Sequence, residues 1–362
     1  SLFTFIQLAF LTVVTFNYKK GKKLSNRILS GFLFSNALLI AQTFLTHSQL
    51  IANNKFTIIF SIGNSSYFLL APFLFLYIQS LCYKEFKLKP VYLLHLLPFF
   101  ITLLFFLYVQ YTPLNTNHQS LGYIEYLSHR IILHLQIFSY LMASAILLIR
   151  YRIRLKELYS SIEKIDLSWC NLILLAFAVM WFLDLSNWSL GLLHLSSGSL
   201  SHWMFISSLL INLMFTLAVA YKGLTQSETF LGIQTYGKYS ASRLKHSDCE
   251  KIIERLNLLM LNEKPFLNPS ITAEDLAQIL KIPPKHLSQA VNTCLNKNFF
   301  NLINSYRIEE AKKLINCGKY QNQTLLALAY DVGFNSKSVF NAAFKKYAGI
   351  TPKEFKNQPA LN

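Results

Sequence analysis

Long apolar stretches separated by short polar ones fill the first 221 residues of this chain. A helix needs about 20 apolar residues to cross the hydrocarbon core of a bilayer. Because the stretches have about this length, with a short first one, the pattern predicts a bundle of seven transmembrane helices. The predicted spans cover residues 1–17, 28–46, 56–81, 91–111, 131–149, 167–190 and 203–221.

The pattern changes after the last apolar stretch. Residues 222–247 contain Gly223, Gly232 and Gly237 and show no sustained apolar period, which is typical of a linker. Apolar positions then recur with a helical period from about residue 248 to the end. We therefore predict an all-α chain with a seven-span transmembrane domain over 1–221, a linker over 222–247 and a cytosolic helical domain over 248–362.

The C-terminal region carries the same helical pattern twice. In the first copy, a helix over Ala273–Leu280 precedes a turn and a second helix that begins near Pro284. In the second copy, a helix over Thr324–Val332 precedes a turn at Gly333, and Asn335 or Ser336 caps the helix that follows. A short helix, a turn and a second amphipathic helix form a helix-turn-helix, whose second helix enters the major groove of DNA.

Helical spacing separates the DNA-facing side chains from the core side chains in each second helix. Amide side chains pair with adenine, and lysine reaches guanine or phosphate, so the outward residues have suitable chemistry. The helix predicted over Phe299–Ile315 spans roughly 25 Å, close to the separation of successive major grooves. One chain can thus read a tandem site without dimerising, although a homodimer is left open. The predicted DNA-contacting residues are Lys285, Ser288, Gln289, Asn292, Lys337, Ser338, Asn341 and Lys345.

Residues 250–357 resemble the AraC-type (AraC/XylS) DNA-binding domain. The stretches that carry the resemblance are "LAQILKIPPKHLSQAVN", "NFFNLINSYRIEEAKKLI" and "LALAYDVGFNSKSVFNAAFKKYAGITPKEF". The resemblance implies two recognition helices in the major groove and a helix that positions them. Many members have arginine where this chain has Ala342, which implies less direct base readout by the second helix. The membrane half is similar to the seven-span subgroup of these regulators in the Bacteroidota, through "LLAPFLFLYIQSL", "LLHLLPF" and "KYSASRL".

Charge and composition support the division into a membrane half and a nucleic-acid-binding half. The chain is 53% hydrophobic, only 14% charged, and carries a formal net charge of +17. Thirteen lysines and arginines lie in the first, third and fifth connections between predicted spans, whereas the even connections hold only Lys55 and Arg130. By the positive-inside rule, we predict that the N-terminus lies outside the cell membrane and the C-terminus in the cytoplasm. The expected location is the bacterial cytoplasmic (inner) membrane. We expect its five cysteines to be free thiols.

Two ionisable residues inside the predicted spans are candidate sensing groups. Asp184 lies in the sixth span and His134 near the outer end of the fifth. Buried ionisable groups are costly in a membrane, so a functional interpretation comes first. The alternative is that Asp184 accepts local hydrogen bonds and His134 is interfacial.

The interpretation that follows is a membrane-tethered, sequence-specific transcription regulator. Its expected partners are double-stranded DNA, the lipid bilayer, RNA polymerase and a small, lipophilic or protein signal. The sequence contains no P-loop, no GxGxxG before a helix and no HExxH, so we predict neither enzyme activity, a cofactor nor a metal site. The alternatives are a transporter with a DNA-binding regulatory tail, a membrane enzyme built on Asp184, and a regulator released by proteolysis in the linker.

The charge asymmetry makes the membrane topology testable. Reporter domains fused after Tyr221 should report a cytoplasmic location, and fusions within residues 191–202 should report the outside. Paired fusions of alkaline phosphatase and green fluorescent protein measure both locations. A periplasmic signal after Tyr221 would contradict the whole interpretation, because the DNA is inside the cell.

Overall fold

The computed structural model describes residues 2–47, 57–111, 119–163, 165–193, 198–225, 246–320 and 322–357. Within these ranges the chain is helical, with short turns and an isolated β-bridge between Tyr159 and Thr272. The chain divides into two compact units. The first comprises Ser1–Ile149 with Leu167–Thr235, and the second comprises Arg150–Asp166 with Tyr236–Asn362. The predicted linker 222–247 lies mostly outside the described residues.

Seven helices account for most of the first unit. Six helical stretches are long and apolar enough to cross a membrane, by length and composition: α2, α3, the 3-10 turn together with α4 (Pro90–Tyr108), α5, α6 and α7. The prediction of long apolar helices is confirmed for these six, while α1 is a shorter apolar helix whose crossing stays a prediction. The helices are α1 (Leu2–Asn17), α2 (Lys23–His47), α3 (Thr57–Cys82), α4 (Leu97–Tyr111), α5 (Gln119–Leu158), α6 (Ser168–Leu192) and α7 (Gly198–Thr225), with a 3-10 turn over Pro90–Leu96 before α4.

Helix α5 is much longer than its apolar stretch. The sequence pattern predicts a span over 131–149 with Arg130, Arg150 and Arg152 in flanking connections, whereas the helix contains all three. The helix continues beyond the predicted span because hydropathy marks where a helix is apolar and not where its backbone hydrogen bonds end. The last turns of α5, from Arg150 onward, belong to the second unit.

Small and polar residues let helices α2, α3 and α7 approach closely. A Cβ on Gly63 would lie 2.3 Å from Cβ of Gln42, so α3 passes α2 where only glycine fits. The Ser80 hydroxyl donates to Ser25 Oγ at 2.9 Å, and Asn212 Nδ2 donates to Asn36 Oδ1 at 3.3 Å. Hydrogen bonds of this kind hold apolar helices together where the hydrophobic effect between them is weak.

The second unit contains seven further helices and two apolar clusters. The first cluster joins α8, α9, α10 and the start of α11, and the second joins the rest of α11 to α12 and α13. Helical spacing along α10 and α13 places Leu287, Phe340 and Phe344 on the apolar faces of these helices, and all three are fully buried. The helices are α8 (His246–Asn262), α9 (Ala273–Ile279), α10 (Pro284–Leu295), α11 (Phe299–Asn316), α12 (Leu325–Asp331), α13 (Lys337–Ala348) and α14 (Pro352–Asn357).

The domain boundaries predicted from the sequence stay a prediction. The compact units add one feature that the apolar pattern does not contain. Residues 150–166, which connect two predicted spans, belong to the same unit as the C-terminal helices.

The two clusters should loosen separately when a large side chain is removed. Leu287→Ala and Phe344→Ala each delete a fully buried group and should cost about 2–5 kcal/mol of local stability. Hydrogen–deuterium exchange on the full chain should rise in α8–α10 for the first variant and in α12–α13 for the second. Lys313→Ala, at an exposed position of α11, is the control. Unchanged exchange in both core variants would mean that the inward and outward faces are reversed.

Candidate nucleic-acid interface

The first helix-turn-helix begins with a complete capping box. The Thr272 side chain accepts a hydrogen bond from the Asp275 amide at 3.1 Å, and the Asp275 carboxylate accepts one from the Thr272 amide at 3.0 Å. The two bonds satisfy amides that a helix start leaves unpaired, so α9 begins at a fixed position. Lys281, with φ +55°, forms the turn, and Pro284 occupies the first turn of α10 as predicted.

Helix α10 turns its apolar face to the first cluster and a polar face outward. Leu287 and Val291 are buried. The four residues predicted to contact DNA lie on this helix, with Lys285 and Asn292 exposed and Ser288 and Gln289 half-buried. These residues therefore share one accessible side of α10, which is what direct readout of base edges requires.

The second helix-turn-helix depends on Gly333 at its turn. Gly333 has φ +93°, and a Cβ there would lie 2.7 Å from the Leu267 carbonyl oxygen. A side chain would thus clash as well as strain the backbone. Phe334 follows it and is buried, as the sequence pattern predicts.

The cap of α13 decides between two sequence alternatives. Ser336 is the N-cap, because its hydroxyl accepts a hydrogen bond from the Val339 amide at 3.3 Å. The neighbouring Asn335 instead donates its side-chain amide to Ser161 Oγ at 2.9 Å. Of the predicted DNA-contacting residues on α13, Lys337, Ser338 and Lys345 are exposed and Asn341 is half-buried.

Helix α11 joins the two helix-turn-helix units through a buried arginine. Arg307 is 1% exposed, and its guanidinium donates to the carbonyl oxygens of Phe266 at 2.7 Å and Asn268 at 2.8 Å. The guanidinium of Arg307 also lies 5.5 Å from the ring centroid of Phe334, which is in the turn of the second helix-turn-helix. Burial lowers the pKa of Arg307 to about 10, with a partly opposing effect from Glu163. The side chain therefore stays charged at neutral pH. Through these contacts it holds both helix-turn-helix units to α11.

Arg307 is a structural residue that the sequence interpretation missed. Ile303 and Ala311, four residues before and after it, are both predicted inward, so helical spacing places Arg307 between them on the same face. A charged residue at an inward position was the available signal. It indicates a buried cation with oxygen partners, because an unpaired buried charge is too costly.

Comparison with known proteins identifies this region. Residues 276–358 match the family model described as "Helix-turn-helix domain". An uncharacterized HTH-type transcriptional regulator in the cgkA 5′ region of Pseudoalteromonas carrageenovora is 29% identical over 116 residues, which cover 32% of this chain and 64% of that protein. A protein of Streptomyces lividans described as an AraC-like transcription regulator is 27% identical over 92 residues, which cover 25% of this chain and 29% of that protein.

The C-terminal region is an AraC-type helix-turn-helix domain. The chain spans 64% and 29% of the two curated relatives, so the similarity concerns this domain and not the whole proteins. Among solved structures, the C-terminal domain of AraT, a response regulator from Geobacillus stearothermophilus, is 26% identical. The match covers 33% of this chain and 92% of the AraT domain, with a TM-score of 0.27.

Outside the AraC-type domain, the two candidate sensing residues lie in one polar cluster of α5 and α6. Arg130 Nη2 donates to both carboxylate oxygens of Asp184, at 3.0 and 3.2 Å. The Arg130 guanidinium also lies 6.0 Å from the Trp188 ring centroid, and the His134 ring centroid is 5.2 Å from that of Trp188. Asp184 is therefore paired across two helices instead of accepting only local hydrogen bonds. The sequence interpretation assigned Arg130 to a connection and so missed this ion pair.

This cluster, comprising Arg130, His134, Trp181, Asp184 and Trp188, is rich in buried hydrogen-bond donors. His134 is 6% exposed, and neither of its ring nitrogens has a partner among the described residues. The indole nitrogens of Trp181 and Trp188 and Nε of Arg130 are also buried without one. Buried polar groups are seldom left unpaired, so each such group calls for an explanation.

Proposed function

We propose that this protein is a membrane-tethered transcription regulator that reads DNA with both helix-turn-helix units. The observation that carries the proposal is the AraC-type domain with two second helices, each with an accessible polar face. The relatives' names support regulation of transcription. Six long apolar helices in the same chain support attachment to a membrane. RNA polymerase is the expected protein partner of such a regulator.

The two second helices have different roles in this proposal. Lys337 is the first residue of α13 and contacts a base edge, as N-terminal residues of a recognition helix do. Gln289, in the middle of α10, contacts a base edge through its side-chain amide, which can pair with adenine. Lys345, two turns further along α13, contacts phosphate. Ser288, Asn292 and Asn341 complete the two readout faces, and Ala342 leaves the second helix without the arginine common in the family.

The cluster around Arg130 and Asp184 is the proposed sensing site. Its unpaired N–H groups, on Arg130, Trp181 and Trp188, require hydrogen-bond acceptors. The suitable signal is a small amphiphile with a carbonyl, hydroxyl or carboxylate group and an apolar body that matches the indole rings. Competition for the Arg130–Asp184 pair would then move α5 against α6.

Substitutions in the readout faces test the DNA-binding proposal. Gln289→Ala and Lys337→Ala should lower affinity and change the preferred sequence, because each removes a base contact worth about 1–3 kcal/mol. Lys345→Ala should weaken binding to all sequences similarly and reduce the salt slope by about one. Selection from random duplexes, followed by titrations at several salt concentrations, measures both effects.

A second exposed lysine provides the control for these substitutions. Lys353→Ala removes the same charge from α14, outside both readout faces, and should leave the preferred sequence unchanged. If all three readout variants altered sequence preference equally, the division between base contact and phosphate contact would be wrong.

Substitution of the Arg130–Asp184 pair tests the sensing proposal. Asp184→Asn and Arg130→Gln should each shift basal output from the target promoter severalfold, with membrane insertion unchanged, because each breaks the ion pair between α5 and α6. The exchanged pair Arg130→Asp with Asp184→Arg should restore the native output. A promoter fusion at a site found by genome-wide DNA capture provides the measurement. Native output from both single variants would mean that the pair has no part in sensing.

A further inference from the structure

Residues 150–166, here called the docked segment, connect α5 to α6 in sequence but pack on the AraC-type domain. Tyr159 forms a β-bridge with Thr272, the residue that caps the first helix-turn-helix. Ser160 is 2% exposed, and its hydroxyl donates to the carbonyl oxygen of Ile271 at 2.7 Å. The docked segment is thus bound to the chain immediately before α9.

The same serine contacts the arginine that joins the two helix-turn-helix units. Arg307 Nη2 lies 3.4 Å from Ser160 Oγ. Glu163, three residues further along, is the charge that raises the pKa of Arg307 against the effect of burial. The docked segment therefore completes the polar environment of a buried guanidinium that otherwise bonds to backbone carbonyl groups.

A third contact reaches the second helix-turn-helix. Asn335, one residue before the cap of α13, donates to Ser161 Oγ at 2.9 Å. Beyond this bond, a cavity of about 370 Å³ lies between the docked segment and α13, with Arg152 and Ile162 on one side and Val339 and Ala342 on the other. The docked segment thus contacts the start of the first helix-turn-helix unit and the turn of the second one.

The docked segment approaches the proposed readout face of α13 only at one edge, where Ala342 lines the cavity. The α13 residues that line the cavity include Val339, Ala342 and Lys346, whereas the readout residues are Lys337, Ser338, Asn341 and Lys345. At 3.6 residues per turn, these two sets are centred about 120° apart around the helix axis. The arrangement therefore favours a role in orienting the second helix-turn-helix, and it disfavours a role in blocking DNA.

The two ends of the docked segment are tied to each other. Tyr151 is 2% exposed, and its hydroxyl donates to the Ile165 carbonyl oxygen at 2.7 Å. Tyr151 belongs to α5, and Ile165 lies three residues before the start of α6. This bond closes the docked segment into a loop between α5 and α6.

We infer that the docked segment fixes the relative orientation of the two helix-turn-helix units and transmits movements of α5 and α6 to DNA binding. The inference rests on the proposed function, because the orientation matters only if both units read one site. It provides a route that does not pass through the linker 222–247. Half-site spacing on DNA follows from the geometry of the protein, so loosening the orientation should relax the required spacing.

The test uses the full chain in lipid vesicles and a charge-neutral pair of substitutions. Ser160→Ala with Ser161→Ala removes the hydroxyl groups that meet Ile271, Arg307 and Asn335. The probes are duplexes of the captured DNA site with one to three base pairs inserted between its half-sites. We expect the native chain to lose about tenfold or more in affinity on insertion, and the double-serine variant to lose less than about threefold. Hydrogen exchange at the Asn335 and Thr272 amides should rise in the same variant.

A matched control lies in the docked segment itself. Arg154 and Glu157 form a solvent-accessible ion pair at 2.6 Å within α5. Arg154→Ala with Glu157→Ala is also charge-neutral and should keep the native spacing profile. If the double-serine variant kept that profile too, the inference would be overturned while the proposed function stood. Failure of the native chain to bind DNA specifically would instead remove the proposed function.

A cross-link tests transmission separately from orientation. Ser161→Cys with Asn335→Cys, in a chain carrying Cys317→Ser to remove the exposed native thiol, permits a short thiol cross-linker to hold the contact closed. The cross-linked chain should keep the native spacing profile, and adding Asp184→Asn should no longer change its affinity for the site. An undiminished effect of Asp184→Asn after cross-linking would show that the signal travels another way.

Discussion

The buried guanidinium of Arg307 is the interaction on which the DNA-binding unit depends. A charged group taken out of water must recover its lost hydration from fixed oxygen atoms. Here the backbone carbonyls of Phe266 and Asn268 supply them, and the ring of Phe334 covers one face. Because those partners come from before the first helix-turn-helix and from the turn of the second, one side chain holds both units. Gly333 is then required, since a Cβ there would lie 3.0 Å from Nε of Arg307.

The rest of the domain follows from close helix packing around this point. Ala277 and Ala329 are fully buried at equivalent places in the two units, where a small side chain lets the second helix approach the first. Each unit keeps its own apolar cluster, and α11 belongs to both clusters. Such an arrangement gives each unit local stability while leaving their relative orientation to a few polar contacts. Polar contacts are directional and therefore suited to regulation.

The apolar helices contain two kinds of polar group. Pairs such as Asn36 with Asn212 and Ser25 with Ser80 form hydrogen bonds across neighbouring helices and stabilise their packing. The cluster around Arg130 combines an ion pair with several indole and imidazole nitrogens that have no partners among the described residues. Structural polar groups in an apolar environment are expected to pair, so unpaired donors are more consistent with a site for a ligand.

Local patterns along the sequence determined the helices, the capping box at Thr272, the left-handed turn at Gly333 and the inward faces of α10 and α13. Each of these depends on residues within a few positions of one another, so spacing alone is sufficient to predict them. Tertiary structure alone decided the partners of Arg307, the pairing of Arg130 with Asp184, and the packing of Ser160 beside Ile271. These contacts join residues 41, 54 and 111 positions apart. No local period encodes such distances, because they arise only when helices with satisfied backbones are brought together and the remaining polar side chains find partners.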